Sequence, residues 1–272
     1  MGVLNENFIL VNGVEISKLG FGTWQIPDGE ICRSAVTSAI KAGYRHIDTA
    51  RAYGNEASVG KAVRDSGINR DRIFITTKLP AEVKSYQEAI TSFEKTMKAL
   101  DLAYVDLYLI HAPWPWNKAG ADYSKQNVEV WKAMEEIYRS GRARSIGVSN
   151  FSVSDLQNIF NNCKIRPMAN QIRFFIGNTQ NEVTAFCQSN DILVEGYSPL
   201  ATGAILGNKE IVAMAGKYHV SVPQICIRYV LQRSVLPLPK STHDAYIKAN
   251  AQVDFIISEA DMAYLNRLKE NI

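Results

Sequence analysis

Short apolar runs and amphipathic segments alternate along almost the whole chain. Val105–His111 is one such run, and Val128–Ser140 follows it with apolar residues at helical spacing. An apolar strand that leads into a helix is typical of a parallel sheet covered by helices. The alternation therefore predicts eight strand-plus-helix units of about 30 residues each, the size of one βα repeat.

The predicted elements begin with a hairpin, because two short apolar runs flank Asn12-Gly13, a dipeptide typical of tight hairpin turns. Strands are then predicted at Leu19–Gly22, Arg45–Asp48, Ile73–Lys78, Val105–His111, Ala143–Ser149, Met168–Gln171, Ile192–Tyr197 and Val235–Pro237. Helices are predicted at Glu30–Ala42, Glu56–Ser66, Tyr86–Leu100, Val128–Ser140, Val153–Asn161, Asn181–Ser189, Glu210–Gln232 with a break near His219–Pro223, Ala245–Asn250 and Glu259–Leu268.

Eight such units favour an α/β fold of the (β/α)8 TIM-barrel class with an N-terminal β-hairpin. The alternative is an open, doubly wound sheet, whose dinucleotide-binding form carries GxGxxG directly after the first strand. Here that stretch reads Gly20-Phe21-Gly22-Thr23-Trp24-Gln25, so the third glycine is missing. No linker or low-complexity tract divides the chain, which predicts a single domain over residues 1–272.

The composition argues against nucleic-acid binding and against a membrane-spanning segment. Among 272 residues, 30 Lys and Arg face 27 Asp and Glu, and a net charge of +3 is too small to drive nucleic-acid binding. No apolar run approaches the roughly 20 residues of a membrane helix, and the first residues lack a secretory pattern. The cysteines, at 32, 163, 187 and 226, form no CxxC pair. We therefore expect a cytoplasmic protein without a metal site, and a monomer by default.

Candidate chemistry follows from the barrel, since catalytic residues lie where its strands end and in the loops beyond. Asp48, Lys78 and His111 end three predicted strands, and Tyr53 lies five residues after Asp48. Each alone is more often a solvated charge or a structural residue. Together they suit one reaction, the reduction of a carbonyl group, so we expect them to form one site.

The four side chains have complementary roles in this interpretation. A tyrosine has a pKa of about 10, and a neighbouring ammonium group lowers it by favouring the phenolate. We therefore expect Lys78 to make Tyr53 more acidic and Asp48 to hold Lys78 charged. His111 would donate a hydrogen bond to the substrate oxygen. Such a site protonates an alkoxide as hydride transfer forms it.

The same residues lie in stretches that resemble the aldo-keto reductase family, most closely its bacterial members. The similar stretches cover nearly the whole chain in the family's order: residues 43–56 (GYRHIDTARAYGNE), 75–78 (ITTK), 106–111 (DLYLIH), 146–151 (IGVSNF), 197–200 (YSPL) and 239–241 (PKS). The resemblance implies a (β/α)8 barrel opened by a hairpin. It also implies a nicotinamide coenzyme bound without a Rossmann domain.

Carried over by position, the resemblance makes Tyr53 the proton donor, Lys78 and Asp48 the pair that adjusts it, and His111 the residue that orients the carbonyl group. It also implies coenzyme contacts. Ser149, Asn150 and Gln171 would hold the nicotinamide carboxamide, Tyr197 would stack on the ring, and Ser198 and Leu200 would contact the pyrophosphate. Lys240, Ser241 and Thr242 would lie near the adenosine 2′-phosphate, and Asn250 is retained near the adenine.

Some positions depart from the family pattern. The arginine common six residues after Lys240 is Tyr246 here, and tyrosine cannot neutralise a phosphate. We therefore expect NADP(H) as the cofactor because of Lys240, with use of NAD(H) possible. Trp24 matches a common substrate-facing aromatic, and Trp114 follows His111 at a displaced position, so both are predicted substrate contacts.

Two other functions stay open at this point. The chain could be a coenzyme-binding barrel with little or no catalysis, acting as a redox-sensing or regulatory subunit. It could also transfer phosphate, since Gly54–Lys61 superficially resembles a phosphate-binding loop. That loop has five residues between its glycines instead of four, and Ala62 stands where Ser or Thr binds magnesium. The leading hypothesis is NADPH-dependent reduction of aldehydes or ketones, with a small-molecule carbonyl substrate and neither a nucleic acid nor a membrane as partner.

Overall fold

The structure is a computed structural model and describes residues 2–269. Residues 1 and 270–272 of the predicted domain lie outside the described part. The strands are β1 (Asn7–Ile9), β2 (Glu15–Ser17), β3 (Phe21–Gly22), β4 (His46–Asp48), β5 (Phe74–Leu79), β6 (Leu107–Ile110), β7 (Ile146–Ser149), β8 (Ala169–Arg173), β9 (Leu193–Tyr197) and β10 (Leu236–Leu238). The helices are α1 (Glu30–Lys41), α2 (Glu56–Asp65), α3 (Tyr86–Leu100), α4 (Ser124–Arg139), α5 (Val153–Asn162), α6 (Asn181–Ser189), α7 (Lys209–Lys217), α8 (Val222–Gln232), α9 (Asp244–Ala249) and α10 (Glu259–Leu265).

Strands β3 to β10 form a closed parallel barrel. Each strand pairs with the next in chain order. The first and last strands also meet, because the Gly20 amide donates to the Pro237 carbonyl at 3.1 Å and the Gly22 amide donates to the Pro239 carbonyl at 3.0 Å. The (β/α)8 prediction is therefore confirmed, and the open doubly wound sheet is not the fold.

The predicted hairpin closes the N-terminal end of the barrel. β1 and β2 pair antiparallel, and Gly13 occupies the turn at φ +82°, a conformation that favours glycine. The Asn12 side chain donates to the Arg144 carbonyl at 2.9 Å, just ahead of β7. Leu10 and Ile16 of the hairpin join the barrel's interior leucines in one apolar cluster. The opposite, C-terminal end is thereby the one left for a ligand.

A second and larger apolar layer lies between the barrel and its helices. It includes Phe93 of α3, Trp131 of α4 and Val230 of α8, each nearly or fully buried. The strands therefore have helices on one side and the barrel interior on the other, so both faces of the sheet are buried.

Helix boundaries follow local capping. The long segment Glu210–Gln232 is broken as predicted, because His219 adopts φ 54° and Ser221 caps α8 by accepting from the Gln224 amide. Helix α4 begins four residues before the predicted start, where the Asp122 side chain accepts from the Ser124 amide at 2.8 Å. The sequence reasoning missed a short 3-10 stretch at Ala201–Gly207, beyond β9.

The segment that resembled a phosphate-binding loop is part of a helix. Gly54 ends a short 3-10 turn, and α2 starts two residues later. Lys61 pairs with Asp65 at 3.0 Å on an exposed face. A Cβ atom on Gly60 would lie 1.9 Å from the Leu100 carbonyl oxygen, so this glycine allows α2 to pack against the end of α3. The geometry gives no support to phosphate transfer.

Candidate active site

A cavity of about 630 Å³ opens at the C-terminal end of the barrel. Its walls are strand ends and the loops that follow them, as expected for this fold. The lining residues are Gly22, Trp24, Gln25, Asp48, Ala52, Tyr53, His111, Trp116, Ser149, Asn150, Gln171, Tyr197, Ser198, Pro199, Leu200, Thr202, Gly203, Leu238, Pro239 and Lys240. The cavity thus brings together most of the residues that the sequence singled out.

A buried ion pair lies at the floor of this cavity. The Lys78 Nζ atom is 2.8 Å from each carboxylate oxygen of Asp48 and also donates to the Thr49 carbonyl at 2.8 Å. Lys78 is 0% exposed and Asp48 is 3% exposed. Burial on its own lowers the pKa of Lys78, but Asp48 and Tyr53 raise it, and the net shift is upward. Lys78 is therefore held as an ammonium ion.

Tyr53 reaches the same ammonium from the loop after β4. Its hydroxyl lies 3.3 Å from Lys78 Nζ, and the Lys78 charge lies 5.0 Å from the centre of its ring. The loop turns through a 3-10 helix, Arg51–Tyr53, that ends at Gly54 with φ 71°. The turn brings the phenol back over the end of β5, so residues 48, 53 and 78 meet in space.

The expected downward shift of the Tyr53 pKa was wrong. Burial raises the pKa of Tyr53 to about 12; Lys78 opposes that rise and Asp48 adds to it. The sequence places a cation near the phenol but does not reveal how deeply the phenol is buried. The phenol consequently keeps its proton at neutral pH, although Lys78 acts in the direction of releasing it.

His111 completes the group immediately after β6. Its ring packs edge-on against Tyr53, with centroids 5.6 Å apart, and against Trp116 at 5.4 Å. Burial, helped by the charge of Lys78, lowers the pKa of His111 to about 3. The imidazole is therefore neutral near pH 7 and can donate one N–H to a carbonyl oxygen.

Polar side chains from β7 and β8 form the next part of the wall. The Ser149 hydroxyl donates to the Gln171 carbonyl at 2.8 Å, and the Asn150 amide donates to the His111 carbonyl at 3.0 Å. Gln171 donates both hydrogens of its side-chain amide, to Asp48 at 2.8 Å and to Glu195 at 2.7 Å. Its side-chain oxygen is therefore the atom that can serve a ligand's amide group.

Tyr197 and the residues after it line one side of the cavity, with Lys240 beyond them. The Tyr197 hydroxyl donates to Asn150 Oδ1 at 2.8 Å. Ser198 and Leu200 follow in the turn beyond β9, and Ser198 adopts φ 51°. Lys240, after β10, is the cation among the described lining residues. An aromatic ring, polar amides and a cation in one wall match the chemical parts of a nicotinamide coenzyme.

Three predicted coenzyme residues do not line the cavity. Ser241 is nearly buried, and its hydroxyl accepts from the His243 amide at 3.1 Å. Thr242 is exposed on the same loop. Asn250 is buried at the end of α9. All three lie beyond Lys240 in the chain, outside the part of the site that the cavity defines.

The aromatic wall on the substrate side differs in one residue from the prediction. Trp24 lines the cavity and is 45% exposed, as is Trp116. Trp114 lies behind Trp116, with ring centroids 5.5 Å apart, and does not reach the cavity. The loop after β6 carries both indoles, and only its conformation decides which of them faces inward.

Sequence reasoning also missed Gln25, Ala52 and Glu195. Gln25 and Ala52 line the cavity from the loops after β3 and β4. Glu195 is fully buried beneath Gln171. The sequence does indicate Glu195, because side chains alternate along a strand and residue 195 must lie on the same face as Tyr197.

The comparisons with known proteins agree with this geometry. The model of the aldo/keto reductase family matches residues 18–270. The chain belongs to the aldo/keto reductase family. Such proteins are NAD(P)H-dependent oxidoreductases, and the present molecule is one of them.

Individual relatives cover almost the entire chain. Glyoxal reductase of Bacillus subtilis is 39% identical over 269 residues, which are 98% of this chain and 94% of that protein. A crystal structure of an aldo/keto reductase from Brucella melitensis has a TM-score of 0.90 and 39% identity, covering 97% of this chain and 99% of that one. A Bombyx mori aldo-keto reductase solved in complex with NADP has a TM-score of 0.88 and 34% identity, with coverage of 98% and 94%.

The part of the chain that the structure describes contains neither a membrane-spanning helix nor a cluster of metal-binding side chains. Within residues 2–269, no helix is both long and apolar enough to cross a bilayer. The same residues include no group of three or more His, Cys, Asp or Glu side chains placed to hold a metal ion.

Proposed function

We propose that this protein reduces aldehydes or ketones to alcohols with NADPH, and that Tyr53 is the proton donor. The observation that carries the proposal is the Tyr53 hydroxyl in the cavity wall, 3.3 Å from a buried Lys78 ammonium. Glyoxal reductase, among the relatives, acts on a small carbonyl compound by its name. The cavity between Trp24 and Trp116 suits a substrate of that kind.

The residues fit the coenzyme that the family implies. Ser149, Asn150 and Gln171 would hold the carboxamide, with Gln171 accepting through its oxygen, and Tyr197 would lie against the ring. Ser198 and Leu200 would contact the pyrophosphate. Lys240, Ser241 and Thr242 would lie near the 2′-phosphate, with Asn250 near the adenine. When bound, NADPH supplies the hydride that the carbonyl carbon accepts.

The chain's own residues then position the carbonyl group and supply the proton that its oxygen gains. His111 donates a hydrogen bond to the carbonyl oxygen and orients it toward Tyr53. As the oxygen gains negative charge, Tyr53 gives it the phenolic hydrogen, and the O–H bond of the alcohol forms while that of the phenol breaks. Lys78 stabilises the resulting phenolate, and Asp48 keeps Lys78 charged. Tyr53 recovers a proton from water that enters when the product leaves.

The preference for NADPH over NADH rests on Lys240. A lysine supplies a point charge for phosphate, whereas the exposed Tyr246 nearby can contribute only its ring. The Bombyx mori relative was solved with NADP, which supports the same choice. Measured KM values for the two coenzymes decide it, and a lower KM for NADH would reverse the preference while leaving carbonyl reduction in place.

Replacing Tyr53 by Phe tests the proton-donor role. The Phe ring keeps the edge-on contact with His111 and removes only the hydroxyl. We expect turnover of an aldehyde to fall by about 100- to 10,000-fold, the usual contribution of a general acid. The dissociation constant of NADPH should change by less than about threefold, because the hydroxyl contacts the substrate. Turnover within a few-fold of the wild type would remove Tyr53 from this role.

A second candidate is a barrel that binds coenzyme and acts as a redox-sensing or regulatory subunit. Nothing in the described cavity wall favours it over catalysis, since all four predicted side chains converge there. NADPH consumption with a panel of aldehydes separates the two functions. Coenzyme binding without consumption of any aldehyde would favour the regulatory subunit.

We also propose that the chain works as a single barrel domain and a monomer in the cytoplasm. Cys32, Cys187 and Cys226 are buried as free thiols, and Cys163 is a partly exposed free thiol, which suits a reducing compartment. Light scattering of the purified protein measures its mass, and a dimer would contradict the monomer.

A further inference from the structure

A second carboxyl group lies beneath the candidate coenzyme site. Glu195, in β9, is 0% exposed. Its Oε2 atom accepts from Gln171 at 2.7 Å, and the same Gln171 amide donates to Asp48 at 2.8 Å. Its Oε1 atom is buried and has no hydrogen-bond partner among the described residues. A carboxylate with one bare oxygen is costly to bury, which favours a protonated Glu195.

The surroundings of Glu195 contain little to balance a negative charge. The charged groups that face it are Asp48 and Lys78, which already neutralise one another at 2.8 Å. On the flanking strands its register partners are Gln171 of β8 and the apolar Leu236 of β10. Burial and then the charge of Asp48 raise the pKa of Glu195 to about 7, against smaller opposing effects of Gln171 and Lys78. The group can therefore change its charge in the neutral range.

We propose that Glu195 is a positioning residue that links a proton to the oxidation state of the coenzyme, its ionised form favouring the oxidised nicotinamide. This inference rests on the proposed function, in which Gln171 holds the nicotinamide end. The oxidised ring carries a positive charge and the reduced ring carries none. Ionised Glu195, one side chain below Gln171, attracts the first and is indifferent to the second. Neutral Glu195 discriminates between them far less.

The sign of the effect follows from linkage. Binding of NADP⁺ stabilises the ionised carboxyl group and lowers its pKa, so a proton is released to solvent. Affinity for NADP⁺ must then rise with pH through neutrality and level off above it. NADPH affinity has no such dependence from this group. Protonation of the 2′-phosphate affects both coenzymes alike and cancels in the ratio of their dissociation constants.

The test measures that ratio by quenching of tryptophan fluorescence, with Trp24 and Trp116 in the cavity wall as reporters. In the wild type, Kd(NADP⁺)/Kd(NADPH) should fall about tenfold between pH 6 and 8.5, a typical size for coupling between two bound groups. In Glu195→Gln, which keeps the acceptor for Gln171, the ratio should change by less than about twofold.

Glu56→Gln is the matched control. Glu56 is also buried, and burial raises its pKa to about 7 as well, but it accepts from Thr77 at 2.7 Å, whereas Glu195 accepts from Gln171. This variant should keep the wild-type pH dependence. A flat ratio in Glu56→Gln, equal to that in Glu195→Gln, would overturn the assignment to Glu195.

If Glu195→Gln does not fold, calorimetry of the wild type can still test the proposal by measuring the protons released when each coenzyme binds. In buffers of different ionisation enthalpy at pH 7, NADP⁺ binding should release more protons than NADPH binding, by about half a proton. Equal proton release, or a wild-type ratio that is constant with pH, overturns the inference while the proposed function stands. If neither coenzyme binds, both the inference about Glu195 and the proposed function are overturned.

Discussion

Removing one partner of the buried Asp48–Lys78 pair should lower both the stability and the activity of the protein. In Lys78→Met the carboxylate of Asp48, 3% exposed, loses an ammonium at 2.8 Å and keeps only the Gln171 amide. Breaking a buried pair from one side typically costs about 3–5 kcal/mol, because the remaining charge is uncompensated. At about 2–4 °C per kcal/mol for a protein of this size class, Tm should fall by roughly 6–20 °C.

The double variant Asp48→Asn, Lys78→Met distinguishes the charge from the packing. It buries no unpaired charge, and the asparagine introduced at position 48 can still accept from Gln171. Its free energy of unfolding in urea should exceed the value expected from the two single losses by about 2 kcal/mol or more. Turnover should stay lost in Lys78→Met, in Asp48→Asn and in the double variant, because Tyr53 no longer has a firmly held cation beside it. Additive losses, or a double variant that reduces aldehydes, would refute the reasoning.

Other predictions address packing, coenzyme choice and the substrate side. Gly60→Ala should destabilise by about 1–3 kcal/mol, since its Cβ would meet the α3 carbonyl at 1.9 Å, whereas Gly216→Ala in α7, with nothing within 4 Å, should stabilise by about 0.5–1 kcal/mol in urea unfolding. The reverse order would contradict the packing. Lys240→Met should raise the NADPH dissociation constant about tenfold, as expected for a lost charged hydrogen bond, with little change for NADH, and equal changes would argue against a phosphate contact. Trp116→Ala should raise KM for an aromatic aldehyde up to about tenfold and Trp114→Ala less, while a larger effect of Trp114 would place the wrong indole in the wall.

The barrel explains why the sequence predicted the four converging side chains but misjudged the pKa of Tyr53. In parallel strands every C-terminal end faces the same way, so a polar residue that ends an apolar run must reach the common cavity. Asp48, Lys78 and His111 were found by that rule. The pKa of Tyr53 depends instead on how deeply the 3-10 turn places the phenol, and burial outweighed the nearby lysine. No periodicity encodes that depth.

Loop conformations explain the remaining differences. Trp114 and Trp116 each follow a proline in the same short stretch, and their order in the sequence gives no indication of which indole faces inward. The strained residues after β9, including Ser198 at φ 51° and Thr202 at φ 59°, likewise have no helical or strand periodicity. Such segments are determined by tertiary contacts, which become visible only in the folded chain.

The barrel interior changes from apolar near the hairpin to polar near the cavity, and Glu195 lies where the change occurs. Toward the hairpin, the inward-facing side chains are leucines such as Leu107 and Leu236, which pack together in one cluster. Toward the cavity they are polar and mostly paired. Glu195 lies at the boundary, level with Leu236 on one side and Gln171 on the other. Glu195 is shielded from solvent there, and the Lys78 charge is already paired with Asp48, so a ligand's charge should act on Glu195 with little screening. A carboxyl group two residues further along the strand, at Tyr197, would face the open cavity and respond much less.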